Sequence, residues 1–192
     1  AIYVMRHNKD YMVISCGPKG QGGPSGHAHN DGLSFELCVD GEDIIVDPGT
    51  YAYTCTPGCR AMFRSRYFHN AVSVDPLTGT GLSISEDSLF QPVQGILATC
   101  LRWDIGEEAA VFVGDLHERT VSGCPVMIRR EIVHQKVPRR WTIVDAIEAP
   151  GKHEVHWHLC VAAPPTKILV ESAHLRWRTT DGWRSEGYGH LR

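Results

Sequence analysis

Six strand-length runs constrain this chain more than anything else in it: Gly95 to Trp103, Ala109 to Thr120, Val126 to Gln135, Trp141 to Asp145, Glu154 to Val161 and Lys167 to Val170. Turn signals at Asp104-Ile105-Gly106, Ser122-Gly123 and Pro150-Gly151 separate them, and no amphipathic helical pattern of useful length intervenes. Regularly spaced short strands close a core by stacking antiparallel sheets. The expected fold is therefore all-β, an antiparallel β-sandwich of two large stacked sheets. Eleven prolines and nineteen glycines among 192 residues agree with many turns. The expected organisation is one sandwich domain over residues 1–165, with 166–192 as its last strand or strands, or a tail of the same domain.

The first third of the chain carries the chemistry. Ile2 to Met5 and Tyr11 to Cys16 read as a hairpin across Asn8-Lys9-Asp10, followed by a Gly/Pro/Ser-rich loop from Gly17 to Gly26. Next comes Gly26-His27-Ala28-His29-Asn30-Asp31; in an extended segment His27, His29 and Asp31 share a face. Asp40-Gly41 is a two-residue hairpin signal, which pairs Val39 with Glu42, Leu37 with Ile44, Phe35 with Val46 and Ser34 with Asp47. That register gathers the apolar residues on one face and leaves Asp47 on the polar one. His29 lies too far along a straight strand to meet Asp47, so the chain must bend between Asn30 and Gly32, where glycine permits it. Tyr51 to Arg66 reads as an irregular excursion, and Asn70 to Val74 as a strand ending in a turn at Asp75-Pro76.

A net charge of -3 argues against a general nucleic-acid binder, although Arg60, Arg64, Arg66 and the pairs Arg129-Arg130 and Arg139-Arg140 leave room for a local anion site. No apolar run of membrane-spanning length and no signal-peptide pattern is present, and because Ala1 opens inside a strand-like run this says little about export. Seven cysteines scattered through strand-like stretches read mostly as reduced packing residues. Cys55 and Cys59 leave a local disulfide or a weak metal pair open, with no second close pair to complete a four-sulfur site.

Read in order, Gly26-His27-Ala28-His29-Asn30-Asp31-Gly32-Leu33-Ser34-Phe35-Glu36-Leu37, Val46-Asp47-Pro48-Gly49-Thr50-Tyr51, Phe63-Arg64-Ser65 and His69-Asn70-Ala71-Val72 resemble the heparinase II/III family of polysaccharide lyases. Arg129-Arg130-Glu131-Ile132-Val133, Trp141-Thr142-Ile143-Val144-Asp145 and His156-Trp157-His158-Leu159 are similar to its downstream strands. The resemblance implies a β-sandwich that sits behind an N-terminal helical toroid of the same polypeptide. It also implies β-elimination on an acidic, uronic-acid polysaccharide or oligosaccharide such as heparin, heparan sulfate or alginate. In that pattern His29, Asp47 and His69 hold a structural zinc, and His27 lines the catalytic cleft. The helical domain, which supplies a catalytic tyrosine and much of the groove in the family, is missing from this sequence, so the isolated chain is expected to be inactive or nearly so. Periplasmic or secreted localisation follows from the resemblance, with cytoplasmic left open; neither nucleic acid nor membrane is an expected partner.

Two neutral imidazoles and a carboxylate suit zinc, with a fourth position for water, whereas three unrelated hydrogen-bonded polar residues are the bland alternative. Asp31 and Asn70 fit either an orienting role toward an imidazole or turn capping. His27 titrates near neutrality and suits an acid or base, or a rim hydrogen bond. Arg64 and Arg66 suit a sugar carboxylate or sulfate, or plain solvation on an exposed loop. Tyr51 and Tyr53 suit stacking on a sugar ring, or a lid over the core. His134, His156 and His158 read as structural or cleft-wall residues, and Trp103, Trp141 and Trp157 as core. A cupin-type site also uses His-x-His but follows it closely with a glutamate; here six residues separate His29 from Glu36. A non-catalytic carbohydrate-binding or structural sandwich is the alternative from another class.

Overall fold

The computed structural model describes residues 1–18, 28–52, 57–75, 97–120 and 122–162, together with 176, 178, 180, 182, 184–187, 190 and 191. Its first sheet runs β1 (Ile2–His7), β2 (Asp10–Ser15), β3 (Phe35–Val39), β4 (Glu42–Ile45), each strand antiparallel to the next. After β5 (Val72–Val74), a second sheet runs β6 (Leu97–Ile105), β7 (Ala109–Arg119), β8 (Pro125–Gln135), β9 (Arg140–Glu148), also antiparallel throughout. β5 pairs with β10 (Val155–Trp157), and β11 (Ser185–Gly187) with β12 (His190–Leu191). The chain is an all-β antiparallel sandwich. No helix among the described residues is long and apolar enough to cross a membrane.

Alternation explains the core. Along β8 the even positions Val126, Ile128, Arg130, Ile132 and His134 are buried while Arg129 and Glu131 face solvent. From the other sheet Met5, Met12, Ile14 and Phe35 meet Ala110, Phe112, Leu116, Ile128 and Ile132 in one cluster, which β5 joins with Val72 and Val74. Burial of side chains of this size stabilises by roughly 1.5–3 kcal/mol each. Tyr3 and Trp103 pack against it, Trp103 edge to face with both Tyr3 and Phe112 and Tyr3 tilted on Phe112, with centroids 5.2 to 6.5 Å apart.

A buried ion pair interrupts this interior. Arg130 and Asp145, opposite each other on β8 and β9, form a two-pronged buried ion pair with N···O distances of 2.7 and 2.8 Å. The remaining Arg130 nitrogen donates to the carbonyls of Leu33 (2.7 Å) and Asn70 (2.8 Å). The strong sheet thus grips the loops of the first third from beneath.

Several local expectations change. The β1–β2 turn uses only Asn8-Lys9, with Asn8 at φ 54°, and Asp10 belongs to β2, buried, where its carboxylate accepts the Asp40 N–H. Val39 pairs with Glu42 as expected across Asp40-Gly41, both left-handed at φ 55° and 84°. Leu37, however, faces Ile45 rather than Ile44, because a bulge between Leu37 and Cys38 shifts the register. Ile45 therefore packs on the core, and β4 ends before Asp47. From there the chain pairs with the segment after β10: Val46 donates to Cys160 O and Ala162 to Ile44 O.

The stretch from Tyr51 to Arg66 is not wholly irregular. A helix, α1 (Pro57–Arg64), and a 3-10 turn over Arg66–Phe68 occupy its end. Eight residues give barely two turns, too few for a helical period to stand out in sequence. His27, Tyr53, Cys55 and the Lys167 to Val170 strand lie outside the described residues.

Candidate functional site

Residues 28–34, 46–52 and 57–71 meet at one corner of the sandwich. Residues 28 to 30 are not a strand; the Asn30 N–H is held by the Arg64 carbonyl at the end of α1 (2.9 Å). The bend behind His29 closes as a turn, with Ser34 N–H on Asp31 O (2.9 Å), and it is Leu33 rather than Gly32 that takes the left-handed φ, 64°. Gly32 matters for a different reason: a Cβ there would stand 2.5 Å from Cδ1 of the buried Leu116, whose side chain would have to shift. Asp31 turns toward β2 and accepts the Ser15 hydroxyl (2.8 Å).

Asp47 follows the bulged strand and is fixed at once. One of its oxygens accepts the Gly49 N–H (2.8 Å), which with Gly49 at φ 83° turns the chain sharply, and the other meets His69 Nδ1 at 2.6 Å. Burial pushes the Asp47 carboxyl up, but the His69 hydrogen bond and charge and the Gly49 N–H outweigh it, so it titrates below the usual range. His69 is 1% exposed, and its Nε2 makes no hydrogen bond among the described residues. The ring of His29 lies 5.2 Å from that of His69, centre to centre. Burial, then the charges of His69 and Arg60, push His29 down to about 4, leaving it neutral at pH 7. Its Nε2 accepts from Arg60 Nη1 at 2.8 Å, with Thr50 Oγ1 at 3.4 Å.

The three residues expected to hold zinc are therefore brought together from 40 positions of sequence. Two imidazoles on one tetrahedral zinc, with Zn–N of about 2.0–2.1 Å, bring their ring centres to about 5 Å, and the observed spacing agrees. The donor types and the ring spacing suit the ion, but Asp47 lies on Nδ1 of His69, across that ring from the unpartnered Nε2, so the carboxylate and Nε2 cannot share one ion as placed. Accordingly, among the described residues no three His, Cys, Asp or Glu side chains stand ready-made as a metal site. The obstruction is visible: the guanidinium of Arg60, fully buried, occupies Nε2 of His29. Burial and the charge of Asp47 push the thiol of Cys160 up to about 11.

The other expected residues take different places. Arg64 and Arg66 are both buried instead of lying on an exposed loop. Arg64 Nε donates to Ala28 O (3.1 Å); Arg66 donates to Val72 O and Gly32 O and faces Glu118 at 3.8 Å. Guanidinium donors directed at backbone carbonyls hold loops in place. Tyr51, half-buried and left-handed at φ 64°, stacks on Phe63 with centroids 5.7 Å apart. Asn70 has the most demanding role, which its sequence context gave only as orientation or capping. Fully buried, it donates to Phe35 O (2.8 Å) and Val46 O (2.9 Å) and accepts the Cys160 N–H (2.7 Å), tying three segments together. The sequence offered no signal for Arg60 beyond its charge; a buried arginine three residues before a buried phenylalanine is recognisable only once α1 exists. A cavity of about 780 Å³ elsewhere, lined by His117, Glu118, Arg119, Met127, Glu148 and Pro150, contains none of these site residues.

The profile of the family described as "Heparinase II/III-like, C-terminal" matches residues 1–191. The chain belongs to this family. Among solved structures, the heparinase II/III-like domain is similar to the heparan sulfate lyase HepC from Pedobacter heparinus, with a TM-score of 0.57 and 17% identity. The likeness covers 83% of this chain and 23% of that one, so the domain spans less than a quarter of that lyase. At this identity the comparison speaks to the fold. No curated protein sequence matches the domain.

Proposed function

We propose that this heparinase II/III-like domain is the sandwich part of a lyase that cleaves a uronic-acid polysaccharide, of the heparin, heparan sulfate or alginate type, by β-elimination. The convergence of His29, Asp47 and His69 at one buried corner carries this reading, since nothing in the core requires it. In such a reaction a base removes the proton at C5 of the uronate, the C4–O bond breaks as the C4–C5 double bond forms, and the departing oxygen gains a proton. The sugar carboxylate must be neutralised for the C5 proton to be acidic enough to leave.

Within this scheme His27 is assigned to proton transfer at the cleft, and Tyr51, beside the corner on Phe63, to the sugar-facing rim. Arg64 and Arg66 are read as braces of that rim, because Nε of Arg64 and Nε and Nη2 of Arg66 donate to backbone carbonyls. His29, Asp47 and His69 would hold zinc. When bound, the ion supplies a fixed positive charge that locks two loops to the end of β4, a structural contribution. The remaining catalytic groups are assigned to a helical domain of the whole protein.

The test uses the full-length protein. Incubation with heparan sulfate, heparin and alginate oligosaccharides should give ultraviolet absorbance from the unsaturated product on one of them, and His27→Ala should lower kcat by on the order of 100-fold. No unsaturated product from any of these substrates would refute the lyase assignment.

A further inference from the structure

We propose that Cys124, backed by His153 and Asp75, is a nucleophilic thiol that exchanges with small disulfides carrying amino-acid groups, which makes the turn between β7 and β8 a site of reversible S-thiolation. This site stands apart from the histidine corner and does not depend on the lyase reading.

Three separate segments build it. The turn after β7 is tightly held: Thr120 donates its N–H to the Cys124 carbonyl (2.9 Å), its hydroxyl oxygen accepts the Cys124 N–H (3.0 Å), and Arg119 donates to the Gly123 carbonyl (2.9 Å). After β9, Gly151 at φ 105° turns the chain back, and His153 Nε2 comes to 3.8 Å from Cys124 Sγ. At the end of β5, one oxygen of Asp75 accepts the Glu154 N–H (3.0 Å) and the other meets His153 Nδ1 (2.7 Å). Sulfur, imidazole and carboxylate thus stand in a row, a nucleophile with a ring beside it and a third group fixing that ring.

The ring is a fixed cation. Its Nδ1 faces a carboxylate and its Nε2 the Pro150 carbonyl (2.8 Å), both acceptors, so the imidazolium is the form that satisfies the two together. The Asp75 bond and then the Pro150 carbonyl push His153 above the usual histidine range, and His153 in turn holds Asp75 below the usual carboxylate range. Of the neighbouring charges, Glu154 is on His156 (2.7 Å) and Arg119 on the Gly123 carbonyl. Among the described cysteines, Cys124 alone has a histidine nitrogen against its sulfur, and it is half-buried, whereas Cys16 and Cys38 are buried.

In the exchange the Cys124 thiolate attacks one sulfur of a disulfide R–S–S–R. A bond from Sγ to that sulfur forms as the S–S bond breaks, and the released thiolate takes a proton from water. The disulfide is the oxidant: Cys124 is oxidised and the departing half is reduced. Midway, one negative charge is spread over three sulfurs, and an imidazolium held beside Sγ stabilises it. Room for the R group adjoins the thiol. Pro125 and Pro150, whose carbonyls each lie 3.7 Å from Sγ, also line the cavity of about 780 Å³, where His117, Arg119, Glu118 and Glu148 present both signs of charge. Mixed charge suits a group that bears carboxylate and ammonium together.

The experiment treats reduced full-length protein with oxidised glutathione at pH 7 and follows intact mass. A glutathione adduct should form, map to Cys124 by peptide mass, and be removed by dithiothreitol; Cys124→Ser should abolish it. Folded protein should react at Cys124 on the order of tenfold faster than the same chain in urea. His153→Gln and Asp75→Asn should each remove that advantage, the second because its amide can still hold the ring while leaving it neutral. The gap between wild type and either variant should close by about pH 9, where His153 has lost its proton in wild type as well. Circular dichroism checks the fold of each variant, and the urea comparison needs none. No adduct on Cys124, modification spread evenly over the cysteines, equal rates in folded and unfolded chains, or full-rate reaction in a folded variant overturns the proposal and leaves the lyase reading untouched.

Discussion

The β6–β9 sheet and the histidine corner are built by opposite means. The sheet holds its shape through long ladders and alternation, so that eleven-residue β7 and β8 pair along their whole length without a break. The corner has almost no ladder. Its loops are positioned by side chains donating to backbone: Asn70 to Phe35 and Val46, Arg64 to Ala28, Arg66 to Gly32 and Val72. The lesson is that apolar periodicity builds a scaffold, whereas a site made from distant segments needs individual polar side chains, each with its own partners.

Arg130 joins the two regions, and removing it should have the largest effect. Arg130→Met leaves Asp145 buried without its ion-pair partner and frees the Leu33 and Asn70 carbonyls, so a loss of about 3–5 kcal/mol is expected in urea unfolding. Asn70→Ala comes next, at about 3 kcal/mol, because the buried Phe35 and Val46 carbonyls and the half-buried Cys160 N–H each lose the hydrogen bond it makes. That variant should spare the far-ultraviolet spectrum of the sheets while speeding hydrogen exchange at corner amides such as Asn30 and His69; unchanged exchange there would mean the corner does not depend on this clamp.

Acid should weaken both regions. Burial, then the charges of His156 and Arg66, push His158, behind the corner, down to about 4, and its Nε2 meets Ser73 Oγ at 2.8 Å. A histidine whose folded pKa is depressed takes up its proton first in the unfolded chain. Its contribution to stability is therefore complete above about pH 6.5 and is lost as pH falls toward 4. Between pH 7 and 5 the decline should be roughly 1 kcal/mol after allowance for partial exposure. His158→Gln should flatten that slope, and an unchanged slope would assign it to other groups. His134, stacked on Trp141 at 3.6 Å, is pushed down by burial too and gives the sheet a slope in the same direction.

The smallest effect tests burial itself. Arg139 and Asp40 repeat the two-pronged geometry of Arg130 and Asp145, at 2.7 and 2.9 Å, but are 45% and 69% exposed. Asp40→Asn, which also tolerates the left-handed turn, should leave the urea midpoint almost where it is, because solvent screens the exposed pair.

By itself the sequence determined the all-β sandwich, the hairpin at Asp40-Gly41 and most strand positions. Those are consequences of side-chain period, turn chemistry and short motifs, all of them local. Only tertiary structure decided that Ile45 rather than Ile44 faces the core, that Leu33 takes the strained turn position, that Arg64 and Arg66 are buried braces, and that Arg60 sits on His29. A bulge, a buried guanidinium and a shared carbonyl each depend on what segments 30 to 100 residues away leave unpaired, and no local pattern along the chain encodes that.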